Sequence, residues 1–97
     1  MGKEVTKTIT QLNDATGWLS PTYKNPSGKL DISIEVSSDW SGTIALQKTR
    51  DGGDTVKEVS TFTGDVETTI EDHADNVEFR LICTVFAAGE AEAALYR

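Results

Sequence analysis

Cysteine is nearly absent from this chain. The single Cys83 excludes an intramolecular disulfide framework and any zinc site built from several thiolates. Histidine is equally scarce. His73 stands alone in a polar, acidic stretch, so Cys83 has no evident base to make it a nucleophile. Cys83 falls inside the apolar residues 79–86 and reads as a small buried hydrophobe. No apolar run approaches the ~18–20 residues of a membrane-spanning helix, and residues 1–6 lack the apolar stretch of a secretory signal. Neither a membrane partner nor export is expected. Positive charge is also in short supply, with nine basic against sixteen acidic side chains and a net charge of −7. The imbalance is uneven: residues 1–50 carry six basic and five acidic groups, and residues 51–97 carry three and eleven. This balance argues against nucleic-acid binding through a basic patch.

Helical periodicity is missing too; a period of two runs through almost the whole chain. In residues 29–37, Leu30, Ile32, Ile34 and Val36 fall on one face and Asp31, Ser33 and Glu35 on the other. Residues 43–48 point Ile44 and Leu46 inward. Residues 55–63 supply Val56, Val59 and Phe62 to the core, at a spacing that calls for a bulge. Val66, Thr68 and Ile70 alternate with Glu67, Thr69 and Glu71. Val77, Phe79, Leu81, Cys83 and Val85 share the inner face of the longest strand, which leaves Ile82 and Phe86 facing out. Ala91, Ala93 and Leu95 line the last strand, and the Thr-rich residues 4–10 offer a seventh. Turn residues punctuate the series at 25–28, 39–42, 51–53, 64–65, 71–75 and 89. Seven short strands of this kind predict an all-β fold, an immunoglobulin-like antiparallel β-sandwich with an irregular N-terminal segment; a jelly roll or small barrel is the alternative. The chain is 97 residues long, one domain's worth. It divides into an N-terminal strand or arm with an irregular connection at 1–27 and the sandwich proper at 28–97.

The sequence offers no catalytic constellation. Asp51 and Asp54, Asp65 and Glu67, and Glu71, Asp72 and Asp75 sit in turns, where carboxylates serve local backbone hydrogen bonds; none shows the dense alternation of a calcium loop. Gly42, Gly52, Gly53 and Gly64 belong to turns, because no helix follows them to hold a phosphate. The chain is therefore read as no enzyme, with no cofactor and no metal. Three aromatics stand out as partner-binding candidates. Trp18 and Tyr23 lie on the irregular connection, and Trp40 sits at a turn between strands, where it either caps the core or meets a partner. Outward-facing Ile82 and Phe86 suggest a second covered surface, such as a subunit contact.

One stretch carries a resemblance. Residues 41–53, Ser-Gly-Thr-Ile-Ala-Leu-Gln-Lys-Thr-Arg-Asp-Gly-Gly, open a strand with Ser-Gly-Thr and close it on an Asp-Gly-Gly turn. Residues 59–63, the aromatic-Arg-Leu triplet Phe79, Arg80 and Leu81, and the terminal residues 90–97 continue the pattern. Together they resemble small virion-associated β-sandwich proteins of tailed bacteriophages and prophages, with Lys48 in place of an Arg, Arg50 in place of an aromatic and Val56 where a Trp is common. The resemblance covers roughly residues 28–97. It implies a non-enzymatic structural protein of the virion, assembled in the host cytoplasm: a head decoration or auxiliary protein. Its partners would be the major capsid protein or other virion proteins, with homo-oligomer or lattice-neighbour contacts. Two other readings remain open: a carbohydrate- or host-surface-binding module using Trp18, Tyr23 and Trp40, and a tail or neck connector subunit.

Overall fold

The computed structural model of the chain describes residues 4–21, 28–74 and 76–97. Seven antiparallel strands form in chain order: β1 Glu4–Ile9, β2 Lys29–Val36, β3 Ser41–Thr49, β4 Val56–Phe62, β5 Val66–Glu71, β6 Glu78–Ala88 and β7 Ala91–Tyr96. They make two sheets, one ordered β1-β7-β2-β5 and the other β4-β3-β6. The sandwich expected from the two-residue alternation is what folds, and the reason is visible in β2. Leu30, Ile32 and Ile34 are buried, while Asp31 and Glu35 between and beside them are exposed. The core joins these to Ile44 and Leu46 of β3, Phe79, Leu81 and Cys83 of β6, and Ala91, Ala93 and Leu95 of β7. Full burial of each large aliphatic side chain contributes about 1.5–3 kcal/mol before entropic costs.

Residues 13–19 are built into the second sheet. They run antiparallel along the free edge of β6. Asn13 N donates to Cys83 O, Cys83 N to Asp14 O, Thr16 N to Leu81 O, and Leu19 and Phe79 exchange both main-chain bonds, all at 2.8–2.9 Å. Counted as an eighth edge segment, they give the strand order of a double-sheet jelly roll, two Greek keys wound together. The last strand, β7, is lodged between β1 and β2, whereas immunoglobulin domains keep it beside its predecessor. Residues 4–19 therefore serve both sheets, and Ile9 and Leu19 among them are 0% and 2% exposed in the core.

Three bulges interrupt the ladders of β3, at Thr84 and Ala87 of β6 and at Val59 of β4, and those at Thr84 and Val59 decide which apolar residues reach the core. Along β6, Ile44 lies opposite Cys83 but Thr43 lies opposite Val85, so Thr84 is an extra residue. An extra residue inverts every side chain beyond it. Val85, expected in the core, is instead 55% exposed; Phe86, expected outside, packs against the core. On β4 the expected bulge is present, with Leu46 opposite Ser60 and Gln47 opposite Glu58. Val59 is the extra residue, and it is exposed, as is Val56; of the three apolar residues expected to serve the core from this edge strand, only Phe62 packs on it. At the β6–β7 corner, Gly89 adopts φ +81, and a Cβ there would lie 2.6 Å from Trp40 Cα.

Candidate functional site

Three surfaces could carry function: the β3–β4 hairpin end, the opposite end capped by Trp40, and the outer face of the four-stranded sheet.

The hairpin end is held by one threonine and one aspartate. Thr49, the last residue of β3, is 2% exposed. Its hydroxyl accepts from Gly53 N at 2.9 Å, and its proton lies between Asp51 Oδ1 and Thr55 O, each 2.8 Å away. Asp51 Oδ1 also accepts from Thr55 N at 2.8 Å. That amide, followed by the Thr49 hydroxyl, holds the Asp51 carboxyl below its ordinary range. The aspartate is thus spent on the turn. The loop occupies residues 50–55, wider than a two-residue turn, with Thr49 opposite Val56 at its base.

Trp18 arrives at this end from the edge segment. A Cβ built on Gly53 would lie 3.5 Å from Trp18 Nε1, so the indole rests against the hairpin. Arg80 of β6 stacks its guanidinium 4.5 Å from the centre of the Trp18 ring and donates from Nε to Gln47 Oε1 at 3.0 Å. Such a cation–π contact is worth about 0.5–1 kcal/mol at an exposed site. On the hairpin itself, Lys48, Arg50 and Lys57 line a groove of about 320 Å³ together with Thr49, Asp51 and Thr55. Lys48 and Lys57 lie directly opposite across the ladder. Three of the chain's nine basic side chains are gathered here.

Trp40 stands at the other end. β3 separates it from the hairpin by nine residues, about 25–30 Å at the rise of an extended strand. Its ring meets Phe86 edge to face, with centroids 5.9 Å apart, and its Nε1–H donates to Thr63 O at 3.1 Å. Both its apolar body and its polar handle are used within the chain. Trp18 and Trp40 are half-buried at opposite ends, so they form no common stacking surface. Tyr23 lies outside the described residues.

The outer face of the four-stranded sheet is acidic. Glu35 of β2 lies opposite Glu92 of β7, and Ser33 lies opposite Glu67 of β5. Hydroxyls share part of this charge: Thr8 Oγ1 donates to Glu92 at 2.9 Å, Ser33 Oγ to Glu67 at 2.6 Å, and Thr69 Oγ1 to Asp31 at 2.7 Å. Among the described residues no three His, Cys, Asp or Glu side chains converge in a metal-binding arrangement.

The remaining reactive groups stand apart. Cys83 is fully buried; burial pushes its thiol up, partly offset by a bond from Sγ to Val85 O at 3.2 Å. His73 Nε2 lies 2.7 Å from Glu71 Oε2 at an exposed corner of the β5–β6 connection. That contact holds the Glu71 carboxyl below its usual range.

Sequence reasoning passed over Arg80 and the Lys48–Lys57 pair. A signal for the pair was present. The two lysines are equidistant from the centre of the Gly52-Gly53 turn, so a symmetric hairpin must set them opposite each other. Nothing local marks Glu35 and Glu92 as neighbours, because 57 positions separate them. No family model matches the chain, and no curated protein matches it significantly.

Proposed function

We propose that this chain is a non-enzymatic structural component of a tailed-phage virion, a decoration or auxiliary protein bound to the assembled head lattice. The observation that carries the reading is the way the resembling stretches fold together. Residues 41–53 form β3 and its hairpin, and the Phe79-Arg80-Leu81 triplet lies against them, Leu46 opposite Leu81, Gln47 opposite Arg80 and Lys48 opposite Phe79. The scattered motif is one continuous patch of sheet with Trp18 laid across its end. Double-sheet jelly rolls serve viral capsids and lectins alike, so the fold by itself selects neither. The separation of Trp18 from Trp40 favours the structural reading over a flat sugar-stacking platform.

Function on this reading is mass action. A protein that binds the assembled lattice and not its free subunits stabilises the lattice by RT ln(1 + [L]/Kd), about 2.7 kcal/mol per site at a hundredfold excess over Kd. Trp18 beside the hairpin is the proposed contact, with Tyr23 and Trp40 as further candidates.

The test is sedimentation of intact particles released from cells that encode the chain. The chain should pellet with the capsid protein in a fixed ratio of the order of the lattice copy number. A ratio of only a few copies per particle would move it to the tail or neck. Recovery in the soluble fraction alone would overturn the virion assignment.

A further inference from the structure

We infer that copies of this chain associate head to face, the basic hairpin groove of one docking on the acidic outer sheet face of the next. The inference stands on charge placement alone and does not depend on the virion reading. Two like-charge cross-strand pairs of opposite sign occur in this one chain: Lys48 opposite Lys57 on the hairpin, and Glu35 opposite Glu92 on the four-stranded sheet. Like charges directly opposite each other destabilise a sheet. Among the described residues, neither pair has a salt-bridge partner. Each pair has the same cross-strand spacing, about 4.5–5.5 Å between Cβ atoms. Two ammonium groups and two carboxylates at matched spacing can meet two to two, and Arg50 at the groove mouth adds a third cation.

The occupant is a second copy because both complementary surfaces belong to the same chain. The net charge of −7 opposes approach at long range, but the Debye length of about 10 Å at 0.1 M salt damps that repulsion and leaves the short-range pairs in force. Groove and face are different surfaces, so the contact is heterologous and extends into a ring or a chain of copies rather than closing as a two-fold dimer.

Sedimentation velocity of the purified chain at 0.1 M salt should show a weight-average mass that rises with concentration up to about 1 mM and falls back to the monomer at 0.5 M salt. The paired reversals Lys48→Glu with Lys57→Glu, and Glu35→Lys with Glu92→Lys, should each weaken association at least tenfold while circular dichroism and melting remain cooperative. Mixing the two reversed proteins places opposite charges across both contacts and should restore assembly. A chain that stays monomeric at 1 mM and 0.1 M salt, reversed proteins that associate as well as the original, or a mixture that fails to assemble would each overturn the proposal. If either reversed protein does not fold, the single substitutions Lys57→Glu and Glu35→Lys on the exposed strands provide the same comparison.

Discussion

Leu81 N donates to the side-chain oxygen of Thr16, 65 residues earlier in the chain, at 3.0 Å. The edge segment along β6 is not a regular strand, and at this point its ladder has no main-chain acceptor to offer. The Thr16 hydroxyl takes that role while the Thr16 amide returns a bond to Leu81 O. Thr16 is 4% exposed, so the bond is made away from water. Replacing Thr16 by Val keeps the shape and removes the acceptor. The expected loss is about 1–3 kcal/mol, the cost of an unsatisfied buried amide. Thr16→Ser should retain most of the stability. Urea unfolding of the two variants separates the hydroxyl's contribution from that of the methyl.

Leu19 decides whether the N-terminal segment is an appendage or part of the fold. It is 2% exposed and exchanges both main-chain bonds with Phe79. Leu19→Ala should cost about 2–5 kcal/mol, the range for truncating a large core side chain. Leu12 in the same segment is 52% exposed, and Leu12→Ala should fall within about 0.5 kcal/mol of the unchanged protein. Equal effects at the two positions would mean that the segment detaches from β6 in solution.

How much of this was legible in the sequence follows from what each signal depends on. The seven strands were readable because a half-buried strand must alternate, and β2 does so without interruption from Leu30 to Val36. The reversal at Val85 and Phe86 was not, because a one-residue bulge at Thr84 leaves no mark in composition. The edge role of residues 13–19 was hidden for a related reason: a segment that substitutes a hydroxyl for a carbonyl and turns through Asn13 at φ 72 has no period to detect. Trp18 was picked out by type, but its neighbours Gly53 and Arg80 come from distant stretches that only the fold brings together.

Gly89 and Gly52 both adopt positive φ but differ in surroundings. A Cβ on Gly89 would meet Trp40 Cα and N at 2.6 and 2.7 Å, whereas one on Gly52 would meet nothing within 4 Å. Gly52→Ala should cost about 1–2 kcal/mol for the left-handed backbone alone. Gly89→Ala adds a clash with main chain that cannot yield without moving the Trp40 corner, so the melting temperature should drop further. Near-ultraviolet circular dichroism should show the disturbed Trp40–Phe86 pair in that variant only.

Cys83 should be silent toward thiol reagents. The thiolate is the reactive form, and burial between the sheets both raises the thiol's pKa and blocks access. Labelling by a disulfide reagent at neutral pH should proceed at the rate of opening of the β6 region and reach the free-thiol rate only in denaturant. Fast labelling of the native protein would show that the edge segment over Cys83 opens independently of the core.

Acid should loosen the hairpin end through Asp51. Its folded-state pKa lies below the ordinary value because the Thr55 amide, and then the Thr49 hydroxyl, bond the charged form. A depressed carboxylate pKa contributes stability that is fully present above the unfolded-state pKa, about 3.9, and is lost as pH falls through the folded-state value. Asp14, bonded by the Thr10 amide, and Glu71, bonded by His73, shift in the same direction, so the whole chain should lose stability below about pH 4–5. Asp51→Asn removes one contributor. The stability difference between the unchanged protein and this variant should be constant from pH 7 to 5 and shrink below pH 4, read from urea unfolding at each pH. A difference independent of pH down to 2 would place the Asp51 contribution in the shape of the turn rather than in its charge.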